Sequence, residues 1–347
     1  MIMKLNGKIK KSFVIACALL MFLSSCKKEE SSTSTTKGTM NGTLTFNLPE
    51  FIFSGETLEL EATGINVPLK QDIKWFIPVM YGSADTVFAN PIRVQFPDSL
   101  GTFHISCMAL ADSYWIVSTY KETTTIDTSL FYGSLEGREF DLDSYIVDPR
   151  DGRRYFTTEV GNLEWFAENL AYEGAGAYYK TSPVMQHLFG RYYSWDEATG
   201  GVSADGLAEG PQGVCPPGWH IPTNTDWEDL GMWLNDGEPV AFDDKWPELG
   251  SRASVEVYLN YEKIWSYSPD NLHENSVLWN AMPAGYSHMG HKTFNDTQKY
   301  GFWWSATQYD DSRAYYRYIF SDAGTFPSYF GDKSEYGFNV RCVRLAE

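Results

Sequence analysis

The sequence predicts a mainly β protein with a few helices, arranged as two domains behind a short N-terminal leader. Short apolar or alternating runs separated by turn residues fill residues 40–136, as expected for a chain of short strands. Ten of the 12 Trp residues follow residue 150, so the second half is much richer in aromatic residues. That half also contains helix-capping residues, which predict helices among its strands.

The N-terminal segment has the features of an export signal. Lys8 and Lys10 lie in a basic region, and Phe13–Leu23 is an apolar run too short to span a bilayer. The run ends in Leu23-Ser-Ser-Cys26, which resembles the lipobox of bacterial lipoproteins. The resemblance implies a signal peptide over residues 1–25, lipidation of Cys26 and membrane attachment through that lipid. An ordinary signal peptide followed by a chance cysteine is the alternative.

Residues 26–39 are rich in Ser, Thr and Lys, which predicts a flexible tether. The charged start of this segment is similar to that of surface-exposed lipoproteins of the Bacteroidetes. This similarity implies a lipid-anchored position on the cell outer membrane, exposed at the surface. The formal net charge of −18 argues against nucleic acid as a partner, because like charges repel.

Residues 40–136 contain six short strand patterns, and Thr57–Thr63 alternates most clearly. This density of strands predicts a β-sandwich. Trp75 and the later segment Gly101–Cys107 resemble core positions of bacterial immunoglobulin-like or PKD-like modules. The resemblance implies a spacer or contact module. Because the usual earlier cysteine is missing, we expect Cys107 to be a buried thiol, with a reactive or metal-binding role as the alternative.

The second half resembles the Fibrobacter succinogenes major paralogous domain over residues 141–347. The segments that carry the resemblance are Ile146–Tyr155, Glu164–Leu170, Gly190–Trp195, Cys215–Thr223, Ala281–Tyr286, Trp303–Thr307 and Gly337–Arg344. It implies an α+β, C-type-lectin-like fold whose long loops are tied by a disulfide near the C-terminus. The chain departs from the family pattern between Gly237 and Asn275, where it is longer.

Three cysteines remain after the signal peptide and the lipidated residue are set aside, so one bridge and one thiol are possible. The resemblance implies that Cys215 and Cys342 form the bridge. The segment Pro222–Gly237 predicts a helix, with Thr225 and Glu228 as a capping box. A second short helix is predicted over Arg191–Ala198.

Sites for chemistry are scarce in this sequence. The sugar-binding motifs of Ca²⁺-dependent lectins are missing, and Glu238-Pro239-Val240 lacks their amide. His288 and His291 have a spacing suited to two metal ligands, but no third ligand is evident, and His220 is expected to form a structural hydrogen bond. No nucleophile, zinc or phosphate-loop motif occurs, so we predict no catalytic residue, metal or cofactor.

Exposed aromatic rings can stack on the apolar faces of sugars. The residues predicted to contact a ligand are Trp304, Tyr309, Asp310, Asp311 and Tyr316. The expected function is non-enzymatic recognition of a glycan or a surface protein. One alternative is a glycan-processing accessory with weak hydrolase activity, which needs two carboxylates about 5 to 9.5 Å apart. The other is a structural component of the envelope.

Overall fold

The computed structural model describes residues 42–65, 73–78, 84–111, 114–117, 120–126, 140–259, 262–265, 273–321 and 323–347. Residues 40–347 form one compact unit. The protein is mainly β with a few helices, as the sequence predicts. Cys26 and the segments predicted to be a signal peptide and a tether lie outside the described residues. In the part of the chain described here, no helix is long and apolar enough to span a bilayer.

The first ten strands lie between residues 42 and 126, and most of them contribute side chains to one hydrophobic core. Trp75 and Cys107 sit opposite each other on paired strands, and both are buried in this core as expected. The strands are β1 Gly42–Phe46, β2 Phe51–Phe53, β3 Thr57–Leu60, β4 Ala62–Ile65, β5 Ile73–Pro78, β6 Ala84–Phe88, β7 Ile92–Gln95, β8 Gly101–Ala111, β9 Tyr114–Val117 and β10 Lys121–Ile126.

These strands form one large sheet and two small ones. The large sheet has the order β2-β10-β8-β5-β6, with β9 beside β8, and the small sheets are β1-β4 and β3-β7. The predicted strand Thr57–Thr63 is in fact two strands, since Leu60 pairs with β7 whereas Ala62 pairs with β1. The side chain of Asn90 holds the switch point because it bonds both backbone groups of Ala62.

Strand β10 is partly buried although its sequence, Lys121–Ile126, is mostly polar. Thr123, Thr125 and Ile126 are buried, although Thr is usually exposed. The hydroxyl of Thr125 donates to the carbonyl oxygens of Ser99 and Gly101, at 2.8 and 3.2 Å, which offsets the cost of burying it. Hydrophobic periodicity therefore does not reveal this strand.

The remaining strands belong to four sheets after residue 140. The sheets have the orders β11-β12-β13-β22, β14-β15, β17-β16-β21 and β18-β19-β20. The strands are β11 Tyr145–Val147, β12 Arg154–Val160, β13 Leu163–Phe166, β14 Tyr258–Leu259, β15 Glu262–Lys263, β16 Tyr286–His288, β17 Thr293–Asn295, β18 Tyr300–Gln308, β19 Arg313–Phe320, β20 Ser328–Asp332, β21 Tyr336–Gly337 and β22 Val343–Leu345.

The described helices are short: α1 Pro183–Phe189, α2 Trp195–Thr199, α3 Asn224–Leu234 and α4 Leu249–Ala253. The prediction for α3 is correct in place but wrong in its cap. Thr223, not Thr225, is the N-cap, and its partner in the capping box is Asp226. Glu228 instead accepts a hydrogen bond from the backbone of Phe242. Helix α2 begins after Ser194, later than predicted, because the preceding residues form β-bridges.

The bridge between Cys215 and Cys342 is present; its two Cα atoms are 5.7 Å apart, and the two residues are 127 positions apart in sequence. Both residues are fully buried in the core that also contains Trp219 and Phe338. Next to the bridge, His220 and Val343 exchange two backbone hydrogen bonds of 2.9 and 3.0 Å. The covalent link thus joins the segment before α3 to the last strand of the fold.

Candidate functional site

The turn between β18 and β19 is built around one carboxylate. Asp310 accepts hydrogen bonds from the backbone N–H groups of Ser312 and Arg313, at 3.0 and 2.8 Å. The Arg313 Nε–H also donates to Asp310, at 2.8 Å. The Arg313 guanidinium is the main cause that holds the pKa of the Asp310 carboxyl well below its usual range. Asp310 therefore shapes the turn and orients the arginine.

The turn places Tyr309 against the edge strand β20. Its ring stacks on Phe330 with centroids 4.1 Å apart and planes inclined by 12°. Tyr329 stacks on Phe330 in turn, at 4.5 Å and 12°. The guanidinium carbon of Arg313 lies 4.7 Å from the Tyr309 centroid and 4.6 Å from that of Phe330. We call Tyr309, Arg313, Tyr329 and Phe330 the aromatic platform.

The platform is open to solvent at both ends. Tyr309 is 44% exposed and Tyr329 is 57% exposed, although both belong to a residue type that usually buries its ring. Tyr329 keeps this exposure although Phe330 lies against one of its faces. Rings held by their neighbours in this way are already ordered, so a ligand that stacks on them loses little side-chain entropy.

The predicted ligand-contacting residues divide into two groups. Tyr309, Asp310 and the exposed Asp311 lie at the platform turn. Trp304 does not, and its prediction is corrected: its ring is completely buried, and its Nε1–H donates to the Tyr193 carbonyl oxygen at 2.7 Å. A ring enclosed on all sides offers no face to a ligand. Trp304 is a core residue.

Tyr316 is half-buried and lies between the core and the platform. Its ring is 4.6 Å from Phe338 and 6.3 Å from Tyr329. Burial, followed by the nearby tyrosine hydroxyls, raises the pKa of Tyr316 well above its usual value. Four other half-buried tyrosines pack against the same core, two from this sheet and two from the sheet β17-β16-β21. They are Tyr286, Tyr300, Tyr318 and Tyr336.

The two histidines with metal-like spacing are separately engaged. His291 bonds the Ser287 hydroxyl through Nδ1, at 2.7 Å, and the Glu197 carboxylate through Nε2, at 2.9 Å. His288 faces Glu335, with 3.9 Å between Nε2 and the carboxylate oxygen. Among the described residues, no group of three or more His, Cys, Asp or Glu side chains is arranged to hold a metal ion.

The hydrogen-bonded series of Ser287, His291 and Glu197 has the residue types of a nucleophilic triad. Ser287, however, is completely buried, and its hydroxyl also lies 3.3 Å from the Gly337 carbonyl oxygen. A nucleophile must reach its substrate, and this one is enclosed by the sheet. Burial is the largest single effect on Glu197 and raises its pKa, but the hydrogen bonds of His291 and Ser194 together outweigh it and lower the pKa to about 2. The series serves as a structural link between α2 and β16.

His220 has the structural role expected from the sequence. Its Nε2 lies 3.2 Å from an Asp226 carboxylate oxygen. The same oxygen accepts the Thr223 backbone N–H at 2.8 Å, which caps α3. The histidine therefore connects the segment after the bridged Cys215 to the start of α3.

Sequence reasoning missed three of the four platform residues, namely Arg313, Tyr329 and Phe330. Tyr329 and Phe330 lie 20 positions or more beyond Tyr309 and meet it only because β20 pairs with β19. Their sequence context, Phe326-Pro-Ser-Tyr-Phe330, contains a proline that marks an edge strand. That proline is the sequence feature that indicates an exposed edge strand at Tyr329 and Phe330.

Fold and site together define a class: a mainly β protein whose disulfide-closed C-terminal half carries an exposed aromatic platform. The sequence model of the Fibrobacter succinogenes major domain matches residues 158–344, and the chain belongs to that family. No curated protein matches the chain. No solved structure matches it either.

Proposed function

We propose that this protein is a non-enzymatic recognition protein that binds glycans through the aromatic platform. The observation that supports the proposal most directly is the stack of Tyr309, Phe330 and Tyr329, which is exposed at both ends. Exposed rings of this kind bind the C–H faces of sugars, and the tyrosine hydroxyls add hydrogen bonds. Arg313, Asp310 and Asp311 supply further donors and acceptors for sugar hydroxyls.

The proposal also covers how the protein is attached to the membrane and how its domains are arranged. Lipidation at Cys26, followed by the tether of residues 26–39, would hold the protein at the cell outer membrane with its C-terminal half exposed. An immunoglobulin-like module over residues 40–136 would act as the spacer, and a C-type-lectin-like domain over residues 141–347 would carry the platform. Metabolic labelling with a fatty acid tests the anchor, because a Cys26→Ser variant should lose the label that the unchanged protein carries.

A glycan array with the purified protein tests the recognition. We expect hits for the unchanged protein and about tenfold weaker binding for Tyr329→Ala, since a stacked ring contributes on the order of 1 kcal/mol beyond its buried area. Tyr329→Phe is the matched control, because it keeps the ring and should bind more tightly than Tyr329→Ala, losing only the contribution of the hydroxyl. An array without hits, or equal binding by Tyr329→Ala, would refute the platform as a glycan site.

The array, together with two further assays, separates the other functions that the sequence left open. A protein partner would give no array hits but would be captured from surface extracts in a Tyr329-dependent manner. A structural envelope component would show neither dependence. Turnover of a labelled polysaccharide would favour the hydrolase alternative over recognition.

A further inference from the structure

A row of tyrosine side chains begins at the aromatic platform and follows strand β19. Tyr316 and Tyr318 are two positions apart on this strand, so they lie on the same face of the sheet. Tyr329, a platform residue, pairs directly with Tyr316 across β19 and β20, and the centroids of the two rings are 6.3 Å apart. The centroids of Tyr316 and Tyr318 are 6.0 Å apart. Three consecutive rings therefore lead from the platform along the sheet.

Two further tyrosines join this row from the sheet β17-β16-β21. Tyr336 lies on β21 and Tyr286 lies on β16, with 5.6 Å between their ring centroids. Gly331 lets Tyr336 lie close to Tyr316, because a Cβ added to this glycine would be only 3.3 Å from an atom of each ring. We call Tyr286, Tyr316, Tyr318, Tyr329 and Tyr336 the tyrosine strip.

The hydroxyl groups of the strip converge on Tyr316. Burial raises the pKa of Tyr316, and the next causes of the increase are the other hydroxyls of the strip, those of Tyr318, Tyr336, Tyr329 and Tyr286. Electrostatic effects of this kind weaken with distance, so the five phenol groups lie near one another.

The protein itself does not use these hydroxyls. None of the five forms a hydrogen bond with another group in the part of the chain that the structure describes, and none is among the buried side-chain atoms that lack a partner there. The hydroxyls of the four half-buried tyrosines therefore reach solvent. Each can donate one hydrogen bond and accept two.

The charges near the strip favour an uncharged ligand. After burial, Asp296 is the next cause that raises the pKa of Tyr286, and the exposed Glu335 directly precedes Tyr336. Three basic side chains in this region already have partners of their own. They are His288, Arg313 and Lys333, which face Glu335, Asp310 and the side chain of Gln308. An acidic ligand would bring its charges towards the carboxylates, whereas a neutral one would not.

We propose that the strip extends the glycan site of the platform, so that the protein binds a linear, neutral polysaccharide across several consecutive sugar units. The inference rests on the function proposed above and names its ligand class. A sugar unit and a phenol ring are both six-membered rings, so one unit covers only one ring of the row. Sugar hydroxyls both donate and accept hydrogen bonds, as the hydroxyls of the strip do. A longer chain can therefore stack on the platform and bond to the strip at the same time.

Calorimetric titration of the purified protein with linear oligosaccharides tests the dependence on chain length. The probes are oligomers of glucose, xylose and mannose, from single sugars to hexasaccharides, and a galacturonic acid hexasaccharide. In at least one neutral series the affinity should rise at least about tenfold from disaccharide to hexasaccharide, because each added unit forms further hydrogen bonds. Equal affinity at all lengths in every series, or tighter binding by the galacturonic acid chain than by every neutral one, would overturn the proposal.

Replacing tyrosine by phenylalanine tests the hydroxyls and keeps the rings. A double variant, Tyr318→Phe with Tyr336→Phe, should bind the hexasaccharide about fivefold to tenfold more weakly and the disaccharide with unchanged affinity, since only the longer chain reaches these hydroxyls. Because every ring is retained, thermal unfolding should not change. Tyr145→Phe is the matched control, a partly exposed tyrosine in the sheet β11-β12-β13-β22, and should bind like the unchanged protein. An unchanged affinity of the double variant for the hexasaccharide would show that the proposal is wrong.

The strip and the platform fail separately. Hexasaccharide binding that is lost in Tyr329→Ala but kept in the double variant would refute the strip alone. Binding that is weakened in the double variant but kept in Tyr329→Ala would refute the platform and support glycan binding by the strip. Capture of a surface protein that is lost in the double variant, without binding of any oligosaccharide, would mean that the strip serves a protein partner and would overturn the proposal.

Discussion

Breaking the Cys215–Cys342 bridge should reduce the free energy of unfolding by about 4 to 5 kcal/mol. The magnitude follows from the sequence separation of 127 between the two cysteines, because a link across a loop of that length removes much of the entropy of the unfolded chain. The total stability of a domain is only about 5 to 15 kcal/mol, so the loss is a large part of it.

Urea unfolding of the unchanged protein, followed by tryptophan fluorescence with and without a reductant, measures this effect. Reduction keeps both sulfur atoms in the core, so the difference reports the covalent link and not a packing defect. Mutation to Ser would add a buried hydroxyl in an apolar environment, at a cost of about 1 to 3 kcal/mol, and would obscure the result. Cys107→Ala is the control: it creates a small cavity in the other core but should leave the effect of reductant unchanged.

A reduced protein that unfolds within about 1 kcal/mol of the oxidised one would refute the chain-entropy argument. It would mean that the segments of β13 and β22 stay paired in the unfolded protein and already restrict it, or that the bridge strains the folded protein. Binding assays on the reduced protein would then show whether the platform depends on the bridge.

Three further predictions concern buried polar groups. Arg341→Met should lower the free energy of unfolding by about 3 to 5 kcal/mol, because Arg341 is fully buried and donates to the Asn169 side chain and to backbone carbonyl oxygens. Arg344→Met is the control in the same urea assay; it loses only a partly exposed ion pair and should cost less than about 1 kcal/mol. The pKa of Glu197 is about 2 when folded and 4.5 ordinarily, so its stabilisation is complete above pH 4.5 and is lost as the pH falls towards 2. After discounting for solvent exposure we expect about 1 to 2 kcal/mol, and a Glu197→Gln variant with the same loss between pH 6 and pH 3 would contradict this. Burial, followed by the charge of Lys263, lowers the pKa of His273 from 6.5 to about 4, so the protein should also lose stability from pH 6.5 to 4, and the urea midpoint should fall less over that interval in His273→Phe than in the unchanged protein.

Part of the platform was within reach of sequence reasoning and part was not. Tyr309 and Asp310 stand out because an aromatic residue precedes an acidic turn. The prediction that Trp304 contacts a ligand is wrong because a large aromatic ring is equally suited to a core and to a ligand surface, and the sequence does not distinguish the two. Only the strands packed around it, and the Tyr193 carbonyl that its indole bonds, place it inside.

The amino-acid sequence by itself determined the features that depend on neighbouring residues or on covalent chemistry. The helix within Pro222–Gly237 and the family to which the chain belongs are of this kind. Tertiary structure alone decided which tyrosines reach solvent and which polar residues are buried. Tyr329 meets Tyr309, and Arg317 lies behind Trp246, through contacts between segments far apart in the chain. Exposure is a property of everything packed around a side chain, and no local pattern encodes it.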